Sequence, residues 1–484
     1  MRTSSVDLTQ GRVRGSVTGS VHAFLGIPYA AAPLGAALFQ APGPAPTWDD
    51  ERDATRFGPT APQMGYPDPL RSILHNPIVA GAEFLNLNVW TPDPTASGLP
   101  VMVWIHGGAF RVGSSAVSVY NGHAFARDGV VLVSLNYRLG AIGFAAFEGT
   151  PANRGILDQI AALEWVRDNI AAFGGDPARV TLFGESAGAM SVATLLASPL
   201  AAGLFQRAIS QSGNGSVAAT LDDARLVAAD LAGRLDTAPA DAAIPALLEA
   251  ERNLVLDFTL RQDPARWGQS TLTASLGLMA FLPTIDDHVL SRLPVDAIAA
   301  GAAHDIPLII GTTADEFRLY TAPAGLTLTR DSLTHLLGAR GLDPAVADTY
   351  SANRPDATPA DLLAAILTDW AFRVPATRLA EAATTAHVYE FAWPTTHLDL
   401  RACHAIEIAF VFDTLTAEGA AMMLGPCTPP QTLAAEMHHN WIDFANGRTP
   451  WTPYETTNRP VMTFNTPRSQ LISNPRPDEL ARWS

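Results

Sequence analysis

The chain contains no lysine: all 31 of its basic residues are arginine, against 47 acidic residues. The absence of lysine excludes a Schiff-base lysine, a pyridoxal phosphate anchor, a lysine general base and a P-loop that ends in G-K-S/T. The formal net charge of −16 at pH 7 argues against nucleic acids and anionic membranes as partners. Several chemistries and partners are therefore excluded before any motif is considered.

Cysteine is also scarce, with only Cys403 and Cys427 in 484 residues. A disulfide framework is thus not the stabilising strategy, and a reducing cytoplasm is the simplest compartment. The first thirty residues show no signal-peptide pattern. The apolar, uncharged run 187–205 is interrupted by Pro199 and Gly203, which favours a buried helix over a membrane span. We therefore expect a cytoplasmic protein that does not bind membranes.

Buried strands and amphipathic helices alternate along a chain that is 48% hydrophobic and 16% charged. The middle of the chain reads strand, strand, helix, strand, turn and helix, which is typical of an α/β protein with a mostly parallel sheet covered on both faces. We expect one domain over residues 1–484, with helical insertions at about 220–280 and 325–385. The predicted strands are 11–17, 23–30, 84–90, 101–105, 130–137, 180–183, 281–285, 307–311, 388–393 and 461–464, and the clearest predicted helices are 153–173 and 437–444.

The most informative turn is G-E-S-A-G at 184–188, which follows a buried strand and precedes an apolar helix. A strand that reverses directly into a helix brings its own backbone close together, so glycine is needed at both ends of the turn. The turn presents Ser186 at the N-terminus of the next helix, where the backbone dipole favours negative charge. This pattern indicates a nucleophile elbow, although an ordinary tight turn can carry the same pentapeptide.

A serine nucleophile needs a base, and the base needs an orienting acid. The acid is expected after a downstream buried strand, where Asp315 and Glu316 are both candidates. The base is expected later still, and spacing alone does not separate His397 from His404. Upstream, the strand at 101–105 ends in H-G-G-A-F, whose uncovered backbone N–H groups are suited to binding an oxyanion. A flexible loop at a strand end is the alternative interpretation of that segment.

Longer motifs occur in a fixed order over nearly the whole chain. They are FLGIPYA (24–30), FLNLNVW (84–90), WIHGGAF (104–110), SLNYRLGAIGF (134–144), NRGILDQIAALEWVRDNIAAFGGDPARVTLFGESAG (153–188), SQSG (210–213), GTTADEF (311–317) and HAIEIAFVF (404–412). In these motifs the chain resembles the type-B carboxylesterases, the cholinesterase-like branch of the α/β-hydrolases, in their bacterial form. The resemblance implies the α/β-hydrolase fold and hydrolysis of carboxylic esters by a serine hydrolase without a cofactor.

The resemblance also implies a role for each matched residue. Ser186 would be the nucleophile, His404 the general base and acid, and Glu316 the orienting acid, with Asp315 as a minor alternative. The family has glycine after this glutamate where this chain has Phe317, and His397 becomes a surface or pocket-rim residue. The implied oxyanion donors are the N–H groups of Gly108, Ala109 and Ala187, and the implied supporting residues are Gly107, Glu185 and Ser212.

The expected substrate is a small-molecule ester. Residues 58–83 lack the tryptophan that cholinesterases use for choline, so a quaternary ammonium substrate is not supported. Trp267, Phe281 and Phe317 are candidates for an apolar acyl or alcohol pocket, and each would equally suit the core. Adjacent helical residues His438 and His439 point about 100° apart and cannot chelate a metal from one face.

The sequence is also compatible with two other functions. The same triad can hydrolyse a carbamate or an activated amide, and some animal relatives are non-catalytic interaction proteins, although those typically lose the nucleophile. For an esterase, we expect activity to fall as the pH drops through the histidine range, below roughly 6–7.

Overall fold

The computed structural model describes residues 2–483, and a 13-stranded sheet runs through its centre. Most central strands are buried along their whole length, whereas the two edge strands are largely exposed. The strands are β1 Arg2–Leu8, β2 Gly11–Thr18, β3 Val21–Pro28, β4 Arg52–Asp53, β5 Asn86–Thr91, β6 Leu99–Ile105, β7 Val131–Leu135, β8 Gly175–Glu185, β9 Arg207–Gln211, β10 Ala219–Thr220, β11 Thr284–Ile285, β12 Leu308–Thr313, β13 Ala386–Phe391, β14 Pro460–Phe464 and β15 Gln470–Ser473.

The spatial order of the sheet is β1-β2-β3-β5-β7-β6-β8-β9-β12-β13-β14-β15, with β4 beside β2. Neighbours from β7 to β14 pair in parallel, whereas the pairs from β1 to β7 and the final pair β14–β15 are antiparallel. The carboxyl ends of β8, β9, β12 and β13 therefore lie at one edge of the sheet. In open parallel sheets this edge is where sites are usually built.

Helices cover both faces of the sheet and form the connections between its strands. They are α1 His123–Arg127, α2 Gly140–Phe144, α3 Arg154–Asn169, α4 Ala187–Ala197, α5 Leu221–Ala232, α6 Ile244–Leu260, α7 Pro264–Trp267, α8 Gln269–Ala274, α9 Pro294–Ala299, α10 Arg318–Thr321, α11 Arg330–Gly338, α12 Val346–Asn353, α13 Pro359–Thr368, α14 Val374–Ala382, α15 Ile408–Val411, α16 Glu418–Leu424, α17 Gln431–Ala445 and α18 Pro477–Leu480. The segment between β10 and β11 contains α5 to α8, and the one between β12 and β13 contains α10 to α14.

The core consists of two apolar layers, one on each face of the sheet. Strand β6 shows how one segment serves both layers, because successive side chains of a strand point to opposite faces. Val101, Val103 and Ile105 belong to one layer, and Met102 and Trp104 belong to the other. A strand buried on both faces needs an unbroken apolar sequence, which is why V-M-V-W-I is readable as a central strand.

Most predicted elements are confirmed, with shifts of a few residues at their ends. The apolar run 281–285 is an exception, since only Thr284–Ile285 pairs as a strand, in a separate two-stranded sheet with β10. The sequence-based prediction also omits β9, whose five residues contain few strong strand formers and which forms because β8 and β12 flank it. None of the helices within residues 2–483 is long and apolar enough to span a bilayer.

Candidate active site

Ser186 lies between the end of β8 and the start of α4 in a strained backbone conformation, with φ of 54° and ψ of −123°. The two glycines of the turn are required by close backbone approaches. A Cβ on Gly184 would come within 2.6 Å of the carbonyl carbon of Gly188, and one on Gly188 within 2.0 Å of the carbonyl oxygen of Ile105. The turn is therefore a nucleophile elbow packed against β6, as its sequence predicts.

Glu316 and His404 form a short contact beneath this turn. Glu316 Oε2 is 2.6 Å from His404 Nδ1, and both side chains are buried. The other oxygen, Oε1, accepts hydrogen bonds from the hydroxyl of Ser212 at 2.7 Å and from the backbone N–H of Thr313 at 2.8 Å. These bonds satisfy the carboxylate and fix its orientation, which in turn fixes the imidazole ring.

The second imidazole nitrogen lies in the same cavity as Ser186. His404 Nε2 is 3.1 Å from Glu185 Oε1, but the two atoms are not aligned for a hydrogen bond, and Nε2 has no hydrogen-bond partner within residues 2–483. Ser186, Glu185 and His404 all line this cavity. Catalytic hydrogen bonds are commonly long or poorly aligned without a substrate and become shorter in the reacting complex.

Three buried carboxylates surround this histidine and shift its proton equilibrium. Burial by itself lowers the pKa of His404, but Glu185 and Glu316 outweigh burial and raise that pKa to about 9. Burial raises the pKa of Glu185, and the negative charges of Glu407 and Glu316 raise it further. The pKa of Glu407 is raised in the same way, first by burial and then by Glu316. The cluster thus favours a protonated imidazole, and its groups titrate together.

The oxyanion segment predicted from H-G-G-A-F lies beside Ser186. A Cβ on Gly107 would be 2.7 Å from Glu185 Oε2 and 3.1 Å from the Cβ of Ser186, so only glycine fits there. Gly108 and Ala109 line the cavity, and neither N–H donates a hydrogen bond to another residue within 2–483. Ala187 is the first residue of α4, where the N–H has no acceptor within the helix. The three predicted donors are thus free to bind a substrate oxygen.

The structure distinguishes the alternative acid and histidine candidates. The carboxylate of Asp315 has other partners, since it accepts from the backbone N–H of Ala402 at 3.4 Å and lies 4.0 Å from Arg318. His397 belongs to a short turn at 397–399 and packs beside Gly425. Neither residue lines the cavity that contains Ser186, so the geometry favours Glu316 and His404.

The cavity has a volume of about 560 Å³, and its wall is mostly apolar. The three aromatic residues predicted for it are not part of this wall, which corrects the sequence-based expectation. Trp267 is fully buried against Phe258, Phe281 packs in the core beneath α5, and Phe317 packs against Phe372. The wall comes instead from residues 66–75, 107–120 and 252–259, from Leu278, Leu319 and Tyr320, and from 404–409 and 419–424.

Sequence reasoning missed two groups that contact the site. Glu407 is buried and accepts a hydrogen bond from Gln211 Nε2 at 3.1 Å, and its position three residues after His404 was the available signal. The ring of Phe372 lies 4.8 Å from the His404 ring, and no local pattern could have indicated that contact. Among residues 2–483, no three His, Cys, Asp or Glu side chains are grouped so that they could hold a metal ion.

The fold and this geometry define a class: the protein is a serine hydrolase with the α/β-hydrolase fold. The chain belongs to the carboxylesterase family, whose model matches residues 2–483. It is 37% identical to para-nitrobenzyl esterase of Bacillus subtilis, with 96% of this chain and 94% of that protein covered. It is 34% identical to phenmedipham hydrolase of Pseudarthrobacter oxydans, covering 90% and 88% of the two chains.

A comparison with a solved structure supports the same family. The carboxylesterase of Geobacillus stearothermophilus superposes with a TM-score of 0.85 at 34% identity, covering 99% of this chain and 100% of that one. Together with the sequence relatives, this match confirms the α/β-hydrolase fold expected from the motifs. The protein is therefore a carboxylic ester hydrolase, as the motifs predicted.

Proposed function

We propose that Ser186, His404 and Glu316 hydrolyse esters through an acyl-enzyme intermediate. The observation that carries this proposal is the 2.6 Å contact between Glu316 and His404 at the cavity that also contains Ser186. Glu316 holds the Nδ1 proton, so the neutral ring presents Nε2 as the base. Two further hydrogen bonds to Glu316 hold its carboxylate in place beside the ring that becomes positively charged.

The reaction proceeds in two balanced halves. The hydroxyl oxygen of Ser186 attacks the ester carbonyl as His404 takes the hydroxyl proton. The carbonyl oxygen becomes an oxyanion that accepts hydrogen bonds from the N–H groups of Gly108, Ala109 and Ala187. His404 then gives its proton to the leaving alcohol. Water then attacks the acyl-enzyme as His404 takes a proton from the water. The acid is released, and His404 returns the proton to the oxygen of Ser186.

The cavity supports a small or medium-sized organic ester as the substrate. Its volume of about 560 Å³ lies within the usual range for small-molecule sites, and its mostly apolar wall suits hydrocarbon parts of an acid or alcohol.

We also propose a reducing compartment, the cytoplasm of a bacterium, because both cysteines are free thiols and Cys403 is buried. The formal charge of −16 supports partners other than nucleic acids.

The decisive experiment compares wild type with Ser186→Ala on para-nitrophenyl esters. We expect kcat to fall by about 10³-fold or more and labelling by a fluorophosphonate to disappear. Ser291→Ala, at an exposed serine, is the matched control and should keep both the wild-type kcat and the fluorophosphonate label. Near-full esterase activity in Ser186→Ala would refute the mechanism.

A matched ester and carbamate, assayed in parallel, test the nature of the bond that is cleaved. The proposal requires a higher kcat/KM for the ester, because its more electrophilic carbonyl suits direct attack by serine. A higher kcat/KM for the carbamate would instead assign the protein as a carbamate hydrolase that uses the same three residues.

A further inference from the structure

Arg111 stands two residues beyond the oxyanion donors and lines the same cavity. Its position is set by a tight turn: the N–H groups of Arg111 and Val112 both donate to the carbonyl oxygen of Gly108, each at 3.0 Å. Ala109 and Phe110 in between adopt left-handed conformations, with φ of 55° and 56°. Such a turn leaves the chain little freedom, so the base of the Arg111 side chain has a defined position relative to the oxyanion donors.

The guanidinium of Arg111 has neither an ion pair nor a hydrogen bond with any other residue in the part of the chain that the structure describes. The other arginine of the wall, Arg252, is paired with Glu249. The carboxyl of Glu251 and the phenol of Tyr66 feel the charge of Arg111 only through space. Glu251 is directed elsewhere, because its Oε2 accepts from the backbone N–H of Ala141 at 2.9 Å.

A second polar group in the wall of this cavity is free to bind a ligand. Tyr66 lines the cavity, and its hydroxyl forms no hydrogen bond with another residue between positions 2 and 483. Much of the remaining wall is aliphatic, including Leu70, Leu74 and Val112. A guanidinium offers five N–H donors and no acceptor, so an oxyanion is the partner that satisfies it best.

We infer that the preferred ester carries a carboxylate group, which Arg111 binds with the Tyr66 hydroxyl as a second donor. The inference rests on the proposed function, because it places that carboxylate in the cavity where Ser186 attacks the ester. The formal charge of −16 repels anions at long range. Salt screens that repulsion within about 8 Å at physiological ionic strength, whereas direct contact with Arg111 is screened much less.

Two pairs of neutral and charged esters test the inference. Monomethyl adipate and its methyl adipamate partner differ only in the acyl part, and para-acetoxybenzoate and para-acetoxybenzamide differ only in the alcohol part. In at least one pair, we expect wild type to cleave the carboxylate ester with a kcat/KM about 10-fold or more above that of the amide ester. A charge-assisted hydrogen bond contributes enough free energy for a difference of this size.

In Arg111→Gln, the ratio of kcat/KM for the carboxylate ester to kcat/KM for the amide ester should fall to about one. Glutamine keeps a polar side chain but has no charge. Arg252→Gln, whose guanidinium is already paired, should leave the ratio unchanged. A wild-type protein without a preference in either pair, or an Arg111→Gln protein with the wild-type ratio, would overturn the inference. An equal loss of kcat/KM for both esters of a pair in Arg111→Gln would also overturn the inference, because such a loss indicates a structural role for Arg111. Failure to cleave any of the four esters, with no fluorophosphonate label on Ser186, would instead refute the proposed function.

Discussion

Glu185 has two roles at the scale of single residues. Its backbone forms the elbow, and its carboxylate lies 3.1 Å from Nε2 of His404. Burial opposes a charged imidazole, but Glu185 and Glu316 together raise the pKa of His404 to about 9. Because the proposed base, His404, must be neutral to accept the proton of Ser186, we expect activity to be lost as the pH falls through this pKa. The acid limb should therefore lie above the ordinary histidine range expected from the sequence.

Glu185→Gln tests this electrostatic role. Removing one negative charge lowers the pKa of His404, so the acid limb of kcat/KM should move to lower pH, by about one unit or more. Glu407→Gln is the matched control, since its charge has the smallest of the effects that raise the pKa of His404, and it should move the limb less. A pH profile of kcat/KM over neutral and alkaline pH provides the measurement. An unchanged limb in Glu185→Gln would contradict the proposed origin of the shift.

At the scale of elements, Arg318 links several segments near Glu316 and His404. It is 5% exposed, and its guanidinium contacts the carboxylate of Asp399 at 2.6 Å, the carbonyl oxygen of Asp399 at 3.0 Å and the carboxylate of Asp361. Asp361 caps the start of α13, and Arg318 itself begins α10, two residues after Glu316. The arginine thus connects the loops that carry Glu316 and His404 to a helix of the insertion.

Arg318→Gln should loosen the pairing of Glu316 with His404 without removing either group. We expect kcat to fall between about 10- and 100-fold with little change in KM, because small misplacements of catalytic groups are costly. Arg401→Gln alters an exposed neighbour that contacts Asp399 and Asp361, and it should have a much smaller effect. Steady-state kinetics beside a melting curve would separate loosened geometry from unfolding. Wild-type kcat in a folded Arg318→Gln protein would exclude this role.

At the scale of the whole molecule, a fully buried ion pair joins three distant segments. The Nε and Nη2 atoms of Arg138 donate to the two oxygens of Asp158 at 2.8 and 2.7 Å. Nη1 donates to the carbonyl oxygens of Leu38 and Gln40 at 3.0 and 2.6 Å. The pair therefore connects the end of β7, helix α3 and the loop before β4. Because every polar atom of the pair is satisfied, its burial is tolerated.

Arg138→Ala should lower the free energy of unfolding by about 3–5 kcal/mol, since it leaves Asp158 buried without its partner. Arg448→Ala removes an exposed ion pair with Asp443 and should cost no more than about 1 kcal/mol. Urea unfolding followed by circular dichroism measures both. A loss in Arg138→Ala no larger than in the control would show that the buried pair contributes little.

Local rules in the sequence predict the proposed nucleophile of this protein. The G-E-S-A-G turn at 184–188 after a buried strand indicates a nucleophile elbow at Ser186, and the structure shows why both glycines are needed, because a Cβ at either position would meet nearby backbone. The order of strands along the chain likewise predicts a mostly parallel sheet, because buried strands alternate with helices. His404 and Glu316 needed the family motifs in addition, because their spacing alone admits His397 and Asp315.

The tertiary structure alone decided which residues line the cavity beside Ser186. The cavity wall combines segments from residue 66 to residue 424, and no local pattern shows that such distant segments will meet. Trp267, Phe281 and Phe317 are apolar enough for a pocket, but packing between helices buries them in the core. No local pattern in the sequence indicates a role for Arg111, because only the folded chain shows that its guanidinium lacks a partner among residues 2–483. Residue chemistry is local, whereas the direction a side chain faces depends on every element packed around it.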